Sequence, residues 1–216
     1  MTSSNLTKRI MTSLTLIFLV LIMFNINYFL VFSLLIIGTL SIIEFCSITK
    51  KIFTNKVYIL FSNFFFISYI FLFCILFFYF SNLIILKIIL FTLLLGCVAS
   101  DIGGYIIGNL IKGPKLTKIS PNKTISGAIG SLIFTSLLIL SLYYFYTNNI
   151  KPSLLIVCLT TSIFCQLGDL FFSYLKRKSK IKDTGNFLPG HGGILDRVDG
   201  ILFGIPIGFL TLILIY

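Results

Sequence analysis

From Ser173 to Asp199 the chain reads SYLKRKSKIKDTGNFLPGHGGILDRVD. Three aspartates fall here, Asp183, Asp196 and Asp199, together with His191, the one histidine of the chain. Asp196 and Asp199 are three residues apart, so on a helix they share a face. Two carboxylates so placed suit a hard cation such as Mg²⁺, and Asp183 can join them from the loop. Pro189, Gly190, Gly192 and Gly193 bracket His191 in a tight turn whose amides can approach a phosphate. Lys176, Arg177, Lys182 and Arg197 add cations for phosphate groups. Carboxylates, cations and open amides together suit phosphoryl or nucleotidyl transfer. A solvated basic loop, with Asp196 and Asp199 merely favouring a helix N-terminus, accounts for Lys178 and Lys180 but poorly for the histidine inside PGHGG.

Two further stretches carry candidates. In KGPKLTKISPNKTIS, residues 112–126, Ser120, Lys123, Thr124 and Ser126 offer hydroxyls and a cation just ahead of an apolar run. The positive end of the helix expected there favours phosphate, and an ordinary basic loop shaped by Pro121 is the plain alternative. In DIGGYIIG, residues 101–108, Asp101 and Tyr105 lie four apart on one face, and Ser100, Gly104 and Gly108 form a row that lets helices approach closely. Gly200, Gly204 and Gly208 repeat that spacing beside Asp199, which is the mark of a packing seam.

The elements that must position these residues are membrane helices. Of 216 residues, 57% are hydrophobic and 11% are charged. So few polar groups cannot clothe a soluble domain of this length, which excludes that class. Ile10 to Ile43 carries no charge over 34 residues. As one helix it would be about 51 Å long, too long for a hydrocarbon core of about 30 Å. A bend at Asn25 and Asn27 gives spans at about 10–24 and 28–46. Lys8 and Arg9 precede the first, no small-residue cleavage site follows, and another span comes at once, which suits an uncleaved anchor. Val57 to Ser100 holds one charge, Lys87, and two spans. Others fall at about 127–147, 153–172 and 199–216, with a kink expected at Pro206. The expected fold is an all-α polytopic bundle of about seven spans. Residues 1–95 form an N-terminal transmembrane bundle. Residues 96–216 form a catalytic transmembrane region with cytoplasmic loops 109–126 and 173–198.

With seven spans, fifteen of the seventeen Lys and Arg residues fall on the side of the N-terminus; Lys87 and Lys151 are the exceptions. That makes the N-terminal side cytoplasmic by the positive-inside rule. The net charge of +11 then reflects membrane orientation and a phosphate-binding face, with no nucleic-acid partner. The six acids and His191 fall towards the same face. Glu44 is remote in sequence from the others, and pairing with Lys50 or Lys51 is its simplest fate. Asp169 and Gln166 on the sixth span point towards the same region as Asp101. The five cysteines, all in apolar runs, read as small buried hydrophobes.

The Ser173–Asp199 stretch resembles the signature of the phosphatidate cytidylyltransferases, or CDP-diacylglycerol synthases. The matching positions are Ser173, Lys176-Arg177, Lys182-Asp183, Pro189 to Gly193, and Asp196-Arg197-Val198-Asp199. Asp101, Tyr105 and Gly108, Ser120 to Thr124, and Gly168-Asp169-Leu170 are similar to further family motifs. The resemblance covers about the C-terminal 120 residues. It departs at Ser126 and Phe172, where the family usually has Glu.

The resemblance implies an enzyme that makes CDP-diacylglycerol and pyrophosphate from CTP and phosphatidate; the positive-inside rule turns its site to the cytoplasm, and the compact form suggests a bacterial inner membrane, with an organelle membrane the alternative. The phosphatidate phosphate is then the nucleophile, and the protein's part is positioning and charge neutralisation. Asp183, Asp196 and Asp199 are expected to hold Mg²⁺, with Asp101 and Asp169 supporting and room for a second, monovalent cation. Lys182, His191 and Arg197 complete the catalytic group. Ser120, Lys123, Thr124, Ser173, Lys176, Arg177, Gly192 and Tyr105 are expected to bind substrate. Membrane lipid and a homodimeric second copy are the other expected partners. The alternatives are a CTP-dependent polyprenol or phytol kinase-like enzyme and a small ion-coupled transporter.

Overall fold

A computed structural model describes residues 14, 15, 17–117, 119–185, 187 and 192–215. Among the described residues there are seven helices: α1 (17–25), α2 (Asn27–Ile52), α3 (Lys56–Ser81), α4 (Ile84–Ile111), α5 (Ile125–Thr147), α6 (Leu154–Lys178) and α7 (Leu195–Ile215). Six of them, α2 to α7, are long and apolar enough to cross a membrane. The protein is an integral membrane protein of all-α class. The first expected span is described only in part, as α1.

Polar residues mark the helix ends. Ile26 is extended and interrupts the helix between Asn25 and Asn27, where the bend was expected. Asn55 caps α3 by accepting from the Val57 amide at 2.9 Å, and Thr124 caps α5 through the Gly127 amide at 3.1 Å. Lys50 and Lys51 end α2, and Lys176, Arg177 and Lys178 end α6, where cations complement the helix dipole.

Two helices run further than hydropathy suggested. α4 continues to Ile111, so Asp101, Tyr105 and Gly108 are helical. α6 continues to Lys178, so Ser173, Lys176 and Arg177 lie on a helix and not in the expected 173–198 loop. Backbone hydrogen bonding outlasts the apolar run because a helix end in a polar medium needs no apolar side chains. α7 runs unbroken through Pro206.

The chain forms two compact units. One comprises residues 1–87 and 175–198, the other 88–174 and 199–216. In the first, α2 and α3 pack through Phe45 and Phe66, whose rings stack at 3.9 Å. In the second, α4 and α5 cross at small residues. A Cβ on Gly103 would lie 2.6 Å from the Gly130 carbonyl oxygen and from Phe134 Cβ, and one on Gly104 would lie 2.6 Å from Ser131 Oγ. α7 meets α4 and α6 the same way: a Cβ on Gly204 would lie 2.7 Å from Cys97 Sγ, and one on Gly200 2.7 Å from Cys165 Sγ. Glycine rows of this kind bring backbones together where lipid offers no hydrophobic drive.

Candidate active site

In the second unit, the α4–α5 crossing and the cap of α5 build one wall of a cavity of about 280 Å³. Asp101 and Tyr105 come from α4, Ser131 from α5, and Gln166 and Asp169 from α6; Ser120, Asn122, Lys123 and Thr124 come from the segment between α4 and α5. That segment is folded back on itself. Lys115 and Thr124 form an isolated antiparallel bridge, the Leu116 amide donates to the Lys123 carbonyl at 2.8 Å, and the Lys123 amide donates to the Ser120 carbonyl at 3.1 Å. Ser126 ties it down by donating to the Lys112 carbonyl at 3.1 Å. Lys123 Nζ is thereby delivered 2.9 Å from Asp169 Oδ2. Both side chains are partly open, at 31% and 17%, so the pair is accessible from the cavity.

Behind the pair lies a hydroxyl and amide network. Gln166 Nε2 donates to the Ala128 carbonyl and to Ser162 Oγ, each at 3.3 Å, and Ser162 and Ser100 hydroxyls meet at 3.1 Å. With its amide group held by the Ala128 carbonyl, Gln166 is oriented, and it lines the cavity.

The first unit holds another group. Asp196 sits in the first turn of α7. Its Oδ1 receives Lys176 Nζ at 2.7 Å; its Oδ2 accepts from the Thr184 amide at 2.8 Å and the Gly193 amide at 3.0 Å, and lies 3.0 Å from the Thr184 hydroxyl oxygen. Gly192 has a φ of 84°, and a Cβ there would crowd Asp196 Oδ2 at 3.0 Å and Asp183 Cβ at 3.3 Å. Glycine is therefore required between the two aspartates. Asp183, Lys182, Arg177 and Arg197 are exposed. His191, Pro189 and Gly190 lie outside the described residues, as does Lys118.

The structure thus gathers Asp101, Tyr105, Ser120, Lys123, Thr124 and Asp169 at one cavity, and Lys176, Asp183, Gly192 and Asp196 around the start of α7. Ser173 stands half-buried on α6 in the second unit and is not among the cavity residues. Asp199 is buried there, with its Oδ1 accepting from the Gly200 amide at 3.0 Å. Among the described residues, no three or more His, Cys, Asp or Glu side chains converge to hold a metal. Asp196 is held by an ammonium and two amides. Asp101 and Asp169, which line one cavity, form a donor set that fits Mg²⁺, an ion usually held by one or two carboxylates with substrate phosphates and water.

Glu44 departs from expectation. The ion pairs Lys123–Asp169 and Lys176–Asp196 involve neither Glu44 nor Lys50 nor Lys51. Glu44 is 2% exposed and accepts from the Thr184 hydroxyl and from the Ile194 and Leu195 amides. The signal for it was present: an acid within an apolar span is costly and has a reason to be there.

A sequence model of the Cytidylyltransferase family matches residues 3–215. The chain belongs to the cytidylyltransferase family. Among its relatives in that family is a phosphatidate cytidylyltransferase from Staphylococcus haemolyticus, 47% identical over 116 residues, which cover 53% of this chain and 45% of that protein. Another from Staphylococcus aureus is 45% identical over 116 residues, with the same coverage. One from Rickettsia bellii is 45% identical over 119 residues, covering 50% of this chain and 51% of that protein. The chain spans about half the length of the curated relatives it matches.

Proposed function

We propose that this protein is a CTP:phosphatidate cytidylyltransferase that makes CDP-diacylglycerol and pyrophosphate in phospholipid biosynthesis. The observation that carries the reading is the cavity that places Asp101, Asp169 and Lys123 together in a membrane-embedded member of the cytidylyltransferase family. In this reaction a phosphatidate phosphate oxygen attacks the α-phosphorus of CTP. The bond from that phosphorus to the bridging oxygen breaks, and pyrophosphate leaves with the electron pair. No side chain has to carry a covalent intermediate, so the work is positioning and electrostatics.

Asp101 and Asp169 would hold Mg²⁺. The bound ion supplies neutralisation of the triphosphate and of the departing pyrophosphate. Lys123 exchanges part of its contact with Asp169 for a phosphate oxygen, and Ser120 and Tyr105 offer hydroxyls to the same anion. Thr124 fixes the start of α5, whose positive end faces the cavity. In the other unit, Lys182, Arg177 and Arg197 are exposed cations that suit phosphate, and Asp183 stands beside Gly192. His191 is assigned to the same turn as a phosphate ligand or loop organiser. The acyl chains stay in lipid, which the exposed apolar faces of the helices favour. The lopsided basic charge supports a cytoplasmic site in a bacterial inner membrane.

The test uses purified protein in detergent with labelled CTP and phosphatidate, with and without Mg²⁺. CDP-diacylglycerol and pyrophosphate in a one-to-one ratio are expected. CDP with a phosphorylated lipid alcohol would replace this reading with that of a lipid kinase. Ion flux into liposomes without nucleotide would replace it with that of a transporter.

A further inference from the structure

Glu44 has no part in the proposed chemistry. It stands 2% exposed in α2, a helix apolar enough to span the membrane. A carboxylate there is tolerated when its oxygens are satisfied. Oε1 accepts from the Ile194 amide at 3.0 Å. Oε2 accepts from the Leu195 amide at 2.9 Å and the Thr184 hydroxyl at 2.6 Å. The two amides open α7, where the first N–H groups lack helical partners and a negative charge is favoured.

The fit around this carboxylate is close. A Cβ on Gly185 would lie 2.6 Å from Glu44 Oε1, and one on Gly193 would overlap Thr184 Oγ1 and Glu44 Oε2. Thr184 is held from its other side by Asp196 Oδ2, and Asp196 Oδ1 is held by Lys176. The Thr184 hydroxyl has one proton, and Glu44 offers the shorter contact, 2.6 Å against 3.0 Å to Asp196. Through the Thr184 hydroxyl to Glu44 and the Thr184 amide to Asp196, the series Glu44, Thr184, Asp196, Lys176 links α2, the segment after α6, the start of α7 and the end of α6.

We infer that Glu44 is a positioning residue for phosphate recognition: without touching substrate, it fixes residues 182–185 and 192–197 so that Lys182, Asp183 and Arg197 present one arrangement of charge to a substrate phosphate. The inference rests on the proposed transfer reaction. It differs from a purely structural role in a measurable way. A structural carboxylate, once removed, lowers the amount of folded protein. A positioning carboxylate lowers turnover in the protein that remains folded, since small misplacements of charged groups cost large factors in rate.

The experiment compares wild type, Glu44→Gln and Thr184→Val in lipid nanodiscs. It measures kcat and KM for CTP per folded molecule, and backbone hydrogen exchange at Thr184, Gly193, Ile194 and Leu195. Gln keeps the volume and one acceptor but turns an NH₂ towards donors. The expected result for Glu44→Gln is a fall in kcat of about tenfold or more, a smaller change in KM, and faster exchange at Ile194 and Leu195. Thr184→Val should lower kcat in the same direction by a smaller factor. Wild-type kcat per folded molecule in Glu44→Gln would overturn the inference, and so would unchanged exchange at Ile194 and Leu195. If wild type itself makes no CDP-diacylglycerol, it is the functional reading that fails. The exchange measurement then still decides whether Glu44 orders the start of α7.

Discussion

Lys123 Nζ lies 2.9 Å from Asp169 Oδ2, so the segment ahead of α5 is fastened to the middle of the site by a single accessible ion pair. A pair open to the cavity, at 31% and 17%, adds only modestly to stability. Its value is in placing a cation and a carboxylate together at one cavity wall. Lys123→Met should therefore leave the folded state nearly unchanged and lower turnover of CTP by about 10²-fold, as loss of one oriented charge typically does. Thermal unfolding and product formation, measured on the same preparation, separate the two effects.

Asp101→Asn and Asp169→Asn test the metal assignment. Each should reduce CDP-diacylglycerol formation by about 10²-fold or more, and each should raise the Mg²⁺ concentration needed for half-maximal rate. A rate loss with an unshifted Mg²⁺ dependence would place the metal on other residues.

Removal of divalent cations from the wild-type protein should abolish turnover. Adding Mg²⁺ back should restore it without refolding, because the helices are held by packing and not by the ion. Product formation and thermal unfolding before and after chelation check this.

Asp196 and Lys176 form the more enclosed pair, with side chains 6% and 13% exposed. Removing one partner of such a pair leaves a charge without compensation and typically costs about 3–5 kcal/mol. Lys176→Met should destabilise by about that amount. The double variant Lys176→Met/Asp196→Asn should recover part of the loss, as read from detergent-resistant thermal unfolding.

Gly103→Leu should separate fold from chemistry. Its side chain would meet the Gly130 carbonyl and Phe134 where α4 crosses α5. Overpacking of this kind typically costs about 1–3 kcal/mol or more. The expected outcome is a lower unfolding temperature and a loss of Asp101 alignment together, with activity falling as folded protein falls.

The membrane class was legible in composition alone, because 57% hydrophobic and 11% charged residues leave too little polar surface for water on all sides. Hydropathy located α2 to α7, and the Asn25–Asn27 break announced the end of α1. Helix ends were less legible. α4 and α6 outrun their apolar stretches to Ile111 and Lys178, since a helix ends where its backbone bonds end. The signature between Ser173 and Asp199, with Asp101 and Ser120 to Thr124, pointed to the family that the chain belongs to.

Tertiary structure alone decided which of these residues meet. Lys123 finds Asp169 46 residues away, and Lys176 finds Asp196 across 20. Glu44 finds Thr184, Ile194 and Leu195 at separations of 140 to 151 residues. Periodicity and spacing report on neighbours along one helix, whereas such pairings depend on how separate helices cross. Sequence therefore named the acids and their membrane setting. Packing placed Asp101 and Asp169 at one cavity and gave Asp196 to Lys176. It also gave Glu44, set aside for its distance along the chain, the amides that begin α7.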